Sequence, residues 1–137
     1  MRVVLDSNVT VSALLFNGRT SSLRTLWKSG LIIPLVNGAM LEEYATVLAY
    51  SKFKLSEKTI EAYLADELMP WLEPVPATGA KRTYKLRDPL DGPFLAAAFA
   101  GKAEALITGD RDILEWAGKR PFEIIRPGEF LDKYFPG

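Results

Sequence analysis

The sequence predicts an α/β protein, a three-layer α/β/α sandwich around a five-stranded parallel sheet. Short apolar runs alternate along the chain with longer stretches whose apolar residues recur at helical spacing. The short runs are apolar throughout, as in strands that are buried on both faces of a parallel sheet. With 137 residues and no repeat or linker, the chain is expected to form a single domain, residues 1–137.

The first half of the chain predicts two strands and four helices. Asn17-Gly18 and Gly30 are expected to end two of the helices, and Ser56 to cap another. Pro34 lies within the second strand and indicates proximity to a sheet edge or an irregularity. In chain order the predicted elements are a strand, two helices, a strand and two helices, at residues 2–5, 9–16, 20–29, 31–36, 38–53 and 56–71.

The second half continues the alternation. A short third strand is expected in residues 73–78, and a helix that begins at Pro89 or Pro93 ends at Gly101. The last elements are a strand, a short helix, a strand and a helix, at residues 104–108, 111–117, 122–125 and 128–134.

Composition excludes several classes of function. The chain has no histidine and no cysteine, so it cannot be a serine–histidine hydrolase, hold a Cys/His zinc ion or form disulfides. Its net charge of zero excludes a basic field over the whole surface. No apolar run reaches membrane-spanning length and no signal peptide precedes the first strand, so a cytoplasmic protein without membrane contact is expected.

Two acids follow predicted strands directly. Asp6 ends the run VVLD and Asp110 ends LITGD. Each alone is well explained as a helix N-cap, and the same interpretation holds for Asp88, Asp91 and Asp112 near helix starts. However, parallel strands bring their carboxyl ends to one edge of the sheet, where α/β proteins bind ligands. If the first and fourth strands adjoin, Asp6 and Asp110 are neighbours.

A cluster of such acids would have to bind protons or a cation. Two carboxylates about 4 Å apart repel by ~4 kcal/mol at an effective dielectric constant of 20. Because the chain lacks histidine and cysteine, its metal ligands would be oxygen atoms alone. Such ligands favour Mg²⁺ or Mn²⁺ over zinc.

Four stretches of the sequence resemble the motifs of PIN-domain ribonucleases. They are VVLDSNVTVSALL, LEEYATVL, DPLDGPFLAAAFAG and LITGDRDIL, in the same order as in that family and over nearly the whole chain. The most similar branch contains the VapC-type toxins of toxin–antitoxin pairs. The resemblance implies a Mg²⁺- or Mn²⁺-dependent endonuclease that acts on RNA, forms a homodimer and binds an antitoxin protein.

The resemblance also implies roles for individual residues. Asp6, Glu43, Asp91 and Asp110 would be the catalytic acids, and Asp6, Asp91, Asp110 and Asp112 the metal ligands. Asn8, Ser12 and Thr108 match polar positions that orient the acids or the substrate. Two departures are Thr10, where the family usually has an aliphatic residue, and Gly92-Pro93, where a polar pair is common. The second departure leaves Asp88 open as an alternative to Asp91.

Helical geometry separates two adjacent glutamates. With about 100° per residue, Glu43 lies roughly 100° and Glu42 roughly 160° from the centre of the apolar face of their helix. Glu42 is therefore expected to point into solvent and Glu43 to lie at the border of the buried face.

Residues 81–87, KRTYKLR, form the strongest basic stretch. Lys81 and Arg82 could hold RNA phosphates and Tyr84 could stack on a base. The simpler interpretation is a solvated loop or an edge strand whose charges deter aggregation.

Two further classes of function compete with the nuclease. The first is a non-catalytic module of the same fold whose acids bind a structural ion, RNA or a protein partner. The second is a phosphoacceptor receiver-like domain. It fits less well, because the first strand offers one acid where such domains have a pair.

We predict that Lys81→Ala combined with Arg82→Ala weakens RNA binding without changing metal affinity. The slope of log affinity against log salt, measured by titration, should become shallower by about 1 for each phosphate contact that is lost. An unchanged slope would identify residues 81–87 as an ordinary solvated segment.

Overall fold

Five parallel strands form one sheet in the computed structural model, which describes residues 1–76 and 84–137. The order across the sheet is β3-β2-β1-β4-β5. The predicted α/β fold with a five-stranded parallel sheet is therefore confirmed. The strands are β1 (Arg2–Leu5), β2 (Ile33–Val36), β3 (Glu73–Pro74), β4 (Ala105–Ile107) and β5 (Glu123–Ile125).

Strand β1 lies at the centre of the sheet. It pairs with β2 on one side and with β4 on the other, where Leu5 is in register with Ile107. The chain builds β2 and β3 on the first side and β4 and β5 on the second. A crevice is therefore expected beyond the carboxyl ends of β1 and β4, where the order of the strands reverses.

Pro34 lies close to a sheet edge, as predicted, because β2 is the neighbour of the edge strand β3. The Ile33 amide donates to the Met1 carbonyl on the β1 side, so the nitrogen of Pro34 faces β3. Strand β3 begins only opposite Leu35. The missing amide hydrogen of Pro34 thus falls where β2 has no partner strand in the described part of the chain.

Seven α-helices connect or flank the strands of the described residues. Most begin at a capping side chain: Asp6 caps the first, Asn37 the third and Ser56 the fourth. The helices are α1 (Ser7–Leu15), α2 (Ser22–Lys28), α3 (Gly38–Leu48), α4 (Glu57–Ala62), α5 (Gly92–Ala100), α6 (Arg111–Leu114) and α7 (Pro127–Tyr134).

Three predicted helices are shorter or less regular than expected. Helix α3 ends at Leu48, and a separate 3₁₀ turn, Ser51–Phe53, brings the Phe53 ring against Phe16. Helix α4 continues as a π-helical segment and a 3₁₀ turn up to Trp71, since Pro70 lacks the amide hydrogen of a regular helix. Helix α6 ends at Leu114 rather than at residue 117.

The core lies where the helices cover the central strands. Val3, Val4 and Leu5 of β1 are essentially inaccessible, as are all three residues of β4. The largest fully buried side chains come mainly from the helices around the sheet, namely Trp27, Tyr44, Phe94 and Phe130. No helix among residues 1–76 and 84–137 is long and apolar enough to cross a membrane.

We predict that Tyr44→Phe destabilises the protein by about 1 to 3 kcal/mol. The buried Tyr44 hydroxyl donates a 2.6 Å hydrogen bond to the Leu5 carbonyl, and its loss removes that donor inside the core. Urea denaturation should show a lower midpoint with an unchanged slope. The matched control is Tyr50→Phe, because Tyr50 is 46% exposed. Equal midpoints for both variants would contradict a structural role for the Tyr44 hydroxyl.

Candidate active site

Asp6 stands at the carboxyl end of β1 and is buried. Its Oδ1 accepts from the Ser7 amide at 2.7 Å, which caps α1, and its Oδ2 accepts from the Thr108 hydroxyl at 2.6 Å. Burial raises the pKa of Asp6 above its usual range, and the charges of Asp110 and Glu43 raise it further. The two hydrogen bonds oppose this shift of the pKa without cancelling it.

Thr108 connects the ends of the two central strands. It is completely buried, and its Oγ1 accepts from the Asp110 amide at 2.9 Å while it donates to Asp6. The Asp6 amide also donates to the Ile107 carbonyl at 3.0 Å. Thr108 therefore fixes the Asp6 carboxylate relative to the loop that carries Asp110, a geometry suited to the predicted orienting role.

Asp91 is the most unusual acid of the site. It ends the 3₁₀ turn Pro89–Asp91 and directly precedes α5, yet its side chain makes no capping hydrogen bond. Its Oδ2 is buried and has no hydrogen-bond partner among the described residues. Burial, followed by the charges of Asp110 and Asp6, raises the pKa of Asp91 to about 7. The charged form of Asp91 is thus disfavoured relative to that of an ordinary aspartate.

Asp88 differs from Asp91 in exposure and in role. Its side chain is exposed, and its Oδ1 accepts from the Leu90 amide at 2.9 Å, as expected for a cap. The Asp88 charge contributes less to the raised pKa of Asp91 than those of Asp6 and Asp110 do. Of the two alternatives for the third acid, Asp91 is the one that is buried beside the ends of β1 and β4.

The carboxylates of Asp110 and Asp112 each accept a hydrogen bond from a backbone amide. The Asp110 Oδ1 caps α6 by accepting from the Asp112 amide at 2.8 Å. Asp112 accepts from the Arg87 amide at 2.9 Å, and its Oδ1 lies 3.5 Å from the Arg87 Nε. With these two side chains engaged, no three acids in the described part of the chain are arranged to hold a metal ion.

The two glutamates of α3 differ as helical geometry predicts. Glu42 is exposed, whereas Glu43 is half-buried. The charge of Glu43 also raises the pKa of Asp6. Helix α3 packs against α1, which begins at Asp6, so Glu43 faces the same end of the molecule as the strand-end acids.

Asn8 and Ser12 lie on α1, one turn apart. Asn8 is exposed and Ser12 half-buried, and both line an open groove beside the helix. Neither forms a hydrogen bond with Asp6, Asp91 or Asp110 within residues 1–76 and 84–137. Their predicted contact with the acids is thus absent from this arrangement, and a contact with substrate stays a prediction.

The basic stretch is only partly described. Lys81 and Arg82 lie outside the described residues. Tyr84 is 9% exposed, and its ring stacks on Phe99 at a centroid distance of 6.2 Å and contacts the edge of Trp116 at 5.8 Å. The ring that was expected to stack on a base is packed into an aromatic cluster of the protein instead.

Sequence reasoning missed two residues that support the site. Tyr44 donates to the carbonyl that directly precedes Asp6, as described above. Asn37 caps α3 through the Met40 amide at 2.9 Å, and its Nδ2 donates to the Pro93 carbonyl at 3.0 Å. The Asn37 side chain therefore ties the start of α3 to the start of α5, next to Asp91. An asparagine before Gly38 was a recognisable cap signal, but its second bond was not.

The donor set fits a hard divalent cation. All candidate ligands are carboxylate oxygens, the class of atom that Mg²⁺ and Mn²⁺ prefer. The unpartnered Oδ2 of Asp91 and the raised pKa values of Asp6 and Asp91 show a local excess of negative charge. A cation would relieve that excess.

Comparison with known proteins identifies a family and a fold. A search of curated proteins gave no match. Among solved structures, a chain of the VapBC2 complex from Rickettsia felis, crystallised with a DNA fragment from its promoter, matches with a TM-score of 0.58. The match covers 90% of this chain and 97% of the other at 16% identity, which establishes a shared fold. The PIN domain family model matches residues 2–112, and the chain therefore belongs to the PIN domain family.

Proposed function

We propose that this protein is a divalent-metal-dependent endoribonuclease. One observation carries the proposal: the buried Asp91 carboxylate has an oxygen without a partner among the described residues and a pKa of about 7, next to Asp6 and Asp110. A protein has little reason to keep such a group unless a ligand completes it. Membership of the PIN domain family supports the same function.

Asp6, Asp91 and Asp110 would hold a Mg²⁺ or Mn²⁺ ion, with Asp112 as a fourth ligand. Such an ion, when bound, stabilises negative charge on a phosphate and lowers the pKa of a bound water molecule toward about 7. That chemistry suits a chain without histidine, because hydroxide becomes available without a basic side chain.

The other residues of the site would transfer protons or hold the acids in position. Glu43, half-buried at the border of the acids, is the candidate general base or acid. Thr108 holds the Asp6 carboxylate through its hydroxyl, and Tyr44 holds the backbone that carries Asp6. These two are positioning residues, and their hydrogen bonds keep Asp6 in one orientation whether or not a ligand is bound.

RNA is the proposed substrate, and an antitoxin protein and a second copy of this chain are the proposed partners. The fold shared with a chain of the VapBC2 complex supports a toxin of a toxin–antitoxin pair. Action on cellular RNA would require the protein to be in the cytoplasm. Asn8, Ser12, Lys81 and Arg82 remain candidates for contact with the RNA.

A non-catalytic binding module is the second candidate. It is favoured by the arrangement of Asp110 and Asp112, whose carboxylates are engaged by a helix cap and by Arg87. In such a module the acids would bind a structural ion or a partner. Metal-dependent cleavage of RNA that is lost in Asp6→Asn would exclude this alternative.

We predict that Glu43→Gln lowers the rate of Mn²⁺-dependent RNA cleavage at least 100-fold, the usual range for loss of a general acid or base. Glu42→Gln should retain nearly the parental rate, because Glu42 is exposed and points away from the buried face of the same helix. Glutamine preserves size and helix propensity, so circular dichroism should show both variants folded. Equal rates in the two variants would remove Glu43 from the site.

A further prediction concerns Asp91, metal and pH. Its pKa in the folded protein, about 7, lies above the ordinary 3.8, so the folded state binds more protons between these values. The free energy of unfolding of the metal-free protein should therefore fall as pH rises from about 4 to 7. Mn²⁺ competes with that proton, so metal affinity and the Mn²⁺-induced rise in Tm should increase through pH 7.

Asp91→Asn should flatten this pH dependence and remove most of the Mn²⁺-induced rise in Tm. Asp88→Asn is the matched control, since asparagine can keep the cap bond to Leu90 and Asp88 is exposed. Thermal unfolding at pH 5 and pH 8, with and without Mn²⁺, makes the comparison. A parental response in Asp91→Asn would exclude this acid as a ligand.

A further inference from the structure

An open groove of about 580 Å³ runs along one side of α1. Its volume is within the range of pockets that take small organic ligands, roughly 300 to 1,000 Å³. One wall is formed by residues spaced four apart along α1. The other wall is formed by the segment that follows α3 and by the residues that follow α4. This α1 groove is lined chiefly by Asn8, Ser12, Phe16, Lys52, Phe53 and Tyr63.

The α1 groove begins at the acid edge of the sheet. Asn8 is in the first turn of α1, two residues after Asp6, and Phe16 follows the last turn. The eight residues between Asn8 and Phe16 rise by about 12 Å along the helix. A polymer whose reacting bond lies at Asp6 can therefore continue directly into the groove.

The walls combine aromatic rings with hydrogen-bonding groups. Phe16 is 54% exposed, and its ring contacts Phe53 at a centroid distance of 6.0 Å and an angle of 57°. Exposed rings of this kind stack on unpaired bases, and amide and hydroxyl groups such as those of Asn8 and Ser12 bind base edges.

Lys52 lines the groove, and Lys54 follows it two residues later, between the lining residues Phe53 and Leu55. Lys52 and Lys54 are exposed, and neither forms an ion pair with a carboxylate in the described part of the chain. The Lys52 ammonium lies 5.1 Å from the centre of the Phe53 ring. Lys54 has a φ of 53°, a conformation that a lysine adopts rarely. In a chain with zero net charge, this local excess of positive charge favours a polyanion over an apolar peptide.

We propose that the α1 groove binds the nucleotides of single-stranded RNA next to the cleaved bond. Bases stack on Phe16 and Phe53, and backbone phosphates contact Lys52 and Lys54. The inference deepens the proposed function and rests on it, because it assigns the groove to the same substrate. It also gives a role to Asn8 and Ser12, which line the groove.

Binding of a fluorescently labelled single-stranded RNA oligonucleotide in EDTA tests the proposal without cleavage. Lys52→Ala should make the slope of log affinity against log salt shallower by about 0.7, the value for one phosphate of a single strand. Lys58→Ala, an exposed lysine of α4 outside the groove, should leave the slope unchanged. Phe16→Leu should weaken binding roughly fivefold or more, and Tyr134→Leu, a ring on α7, should not.

Parental RNA affinity in both Lys52→Ala and Phe16→Leu would overturn the proposal. That result is expected if RNA binds elsewhere, if the groove takes a protein segment or if the chain binds no RNA. Cleavage assays separate this inference from the proposed function. If the parent cleaves RNA and the two variants bind RNA as the parent does, the assignment of the groove is wrong and the nuclease proposal stands. RNA binding through the groove without cleavage in Mn²⁺ overturns the nuclease and leaves the groove as an RNA-binding surface.

Discussion

Burial of like charges at one edge of the parallel sheet constrains this end of the molecule. Parallel strands send all their carboxyl ends the same way, and the neighbouring positions of β1 and β4 bring Asp6 and Asp110 together. The start of helix α5 adds Asp91, which is buried. Its pKa is raised by that burial and by the charges of Asp110 and Asp6. Such a group of acids is stable only when protons, hydrogen-bond donors or a cation offset the repulsion.

The backbone around these acids is held from three directions. Tyr44 reaches from α3 to the carbonyl of Leu5, Thr108 reaches from the end of β4 to Asp6, and Asn37 ties the starts of α3 and α5 together. Each bond is made by a buried side chain, so its loss leaves a polar group in the core. The site is therefore rigid at its base, whereas Asp110 and Asp112 depend on the short helix α6.

The fold and the positions of Asp6 and Asp110 after β1 and β4 could be predicted from the sequence, because both follow from local patterns. Buried runs and strand-end acids need only the rule that parallel strands share an edge. The choice between Asp88 and Asp91 could not be made in this way, since both precede a proline or glycine and both resemble caps. Only the packing of α5 buries one and exposes the other. The surroundings of Tyr84 could not be predicted for the same reason, because they come from distant parts of the chain.

Capping and metal binding need not compete at such a site. Asp6 and Asp110 each cap a helix, which was the simpler interpretation of both residues, and each still stands at the sheet edge. A carboxylate oxygen that accepts one amide hydrogen retains a second lone pair. The positive ends of α1 and α6 also favour carboxylates at these positions, which lowers the cost of gathering several acids. The same side chains can thus begin the helices and present oxygen atoms to a cation, whereas the side chain of Asp91 makes no capping bond.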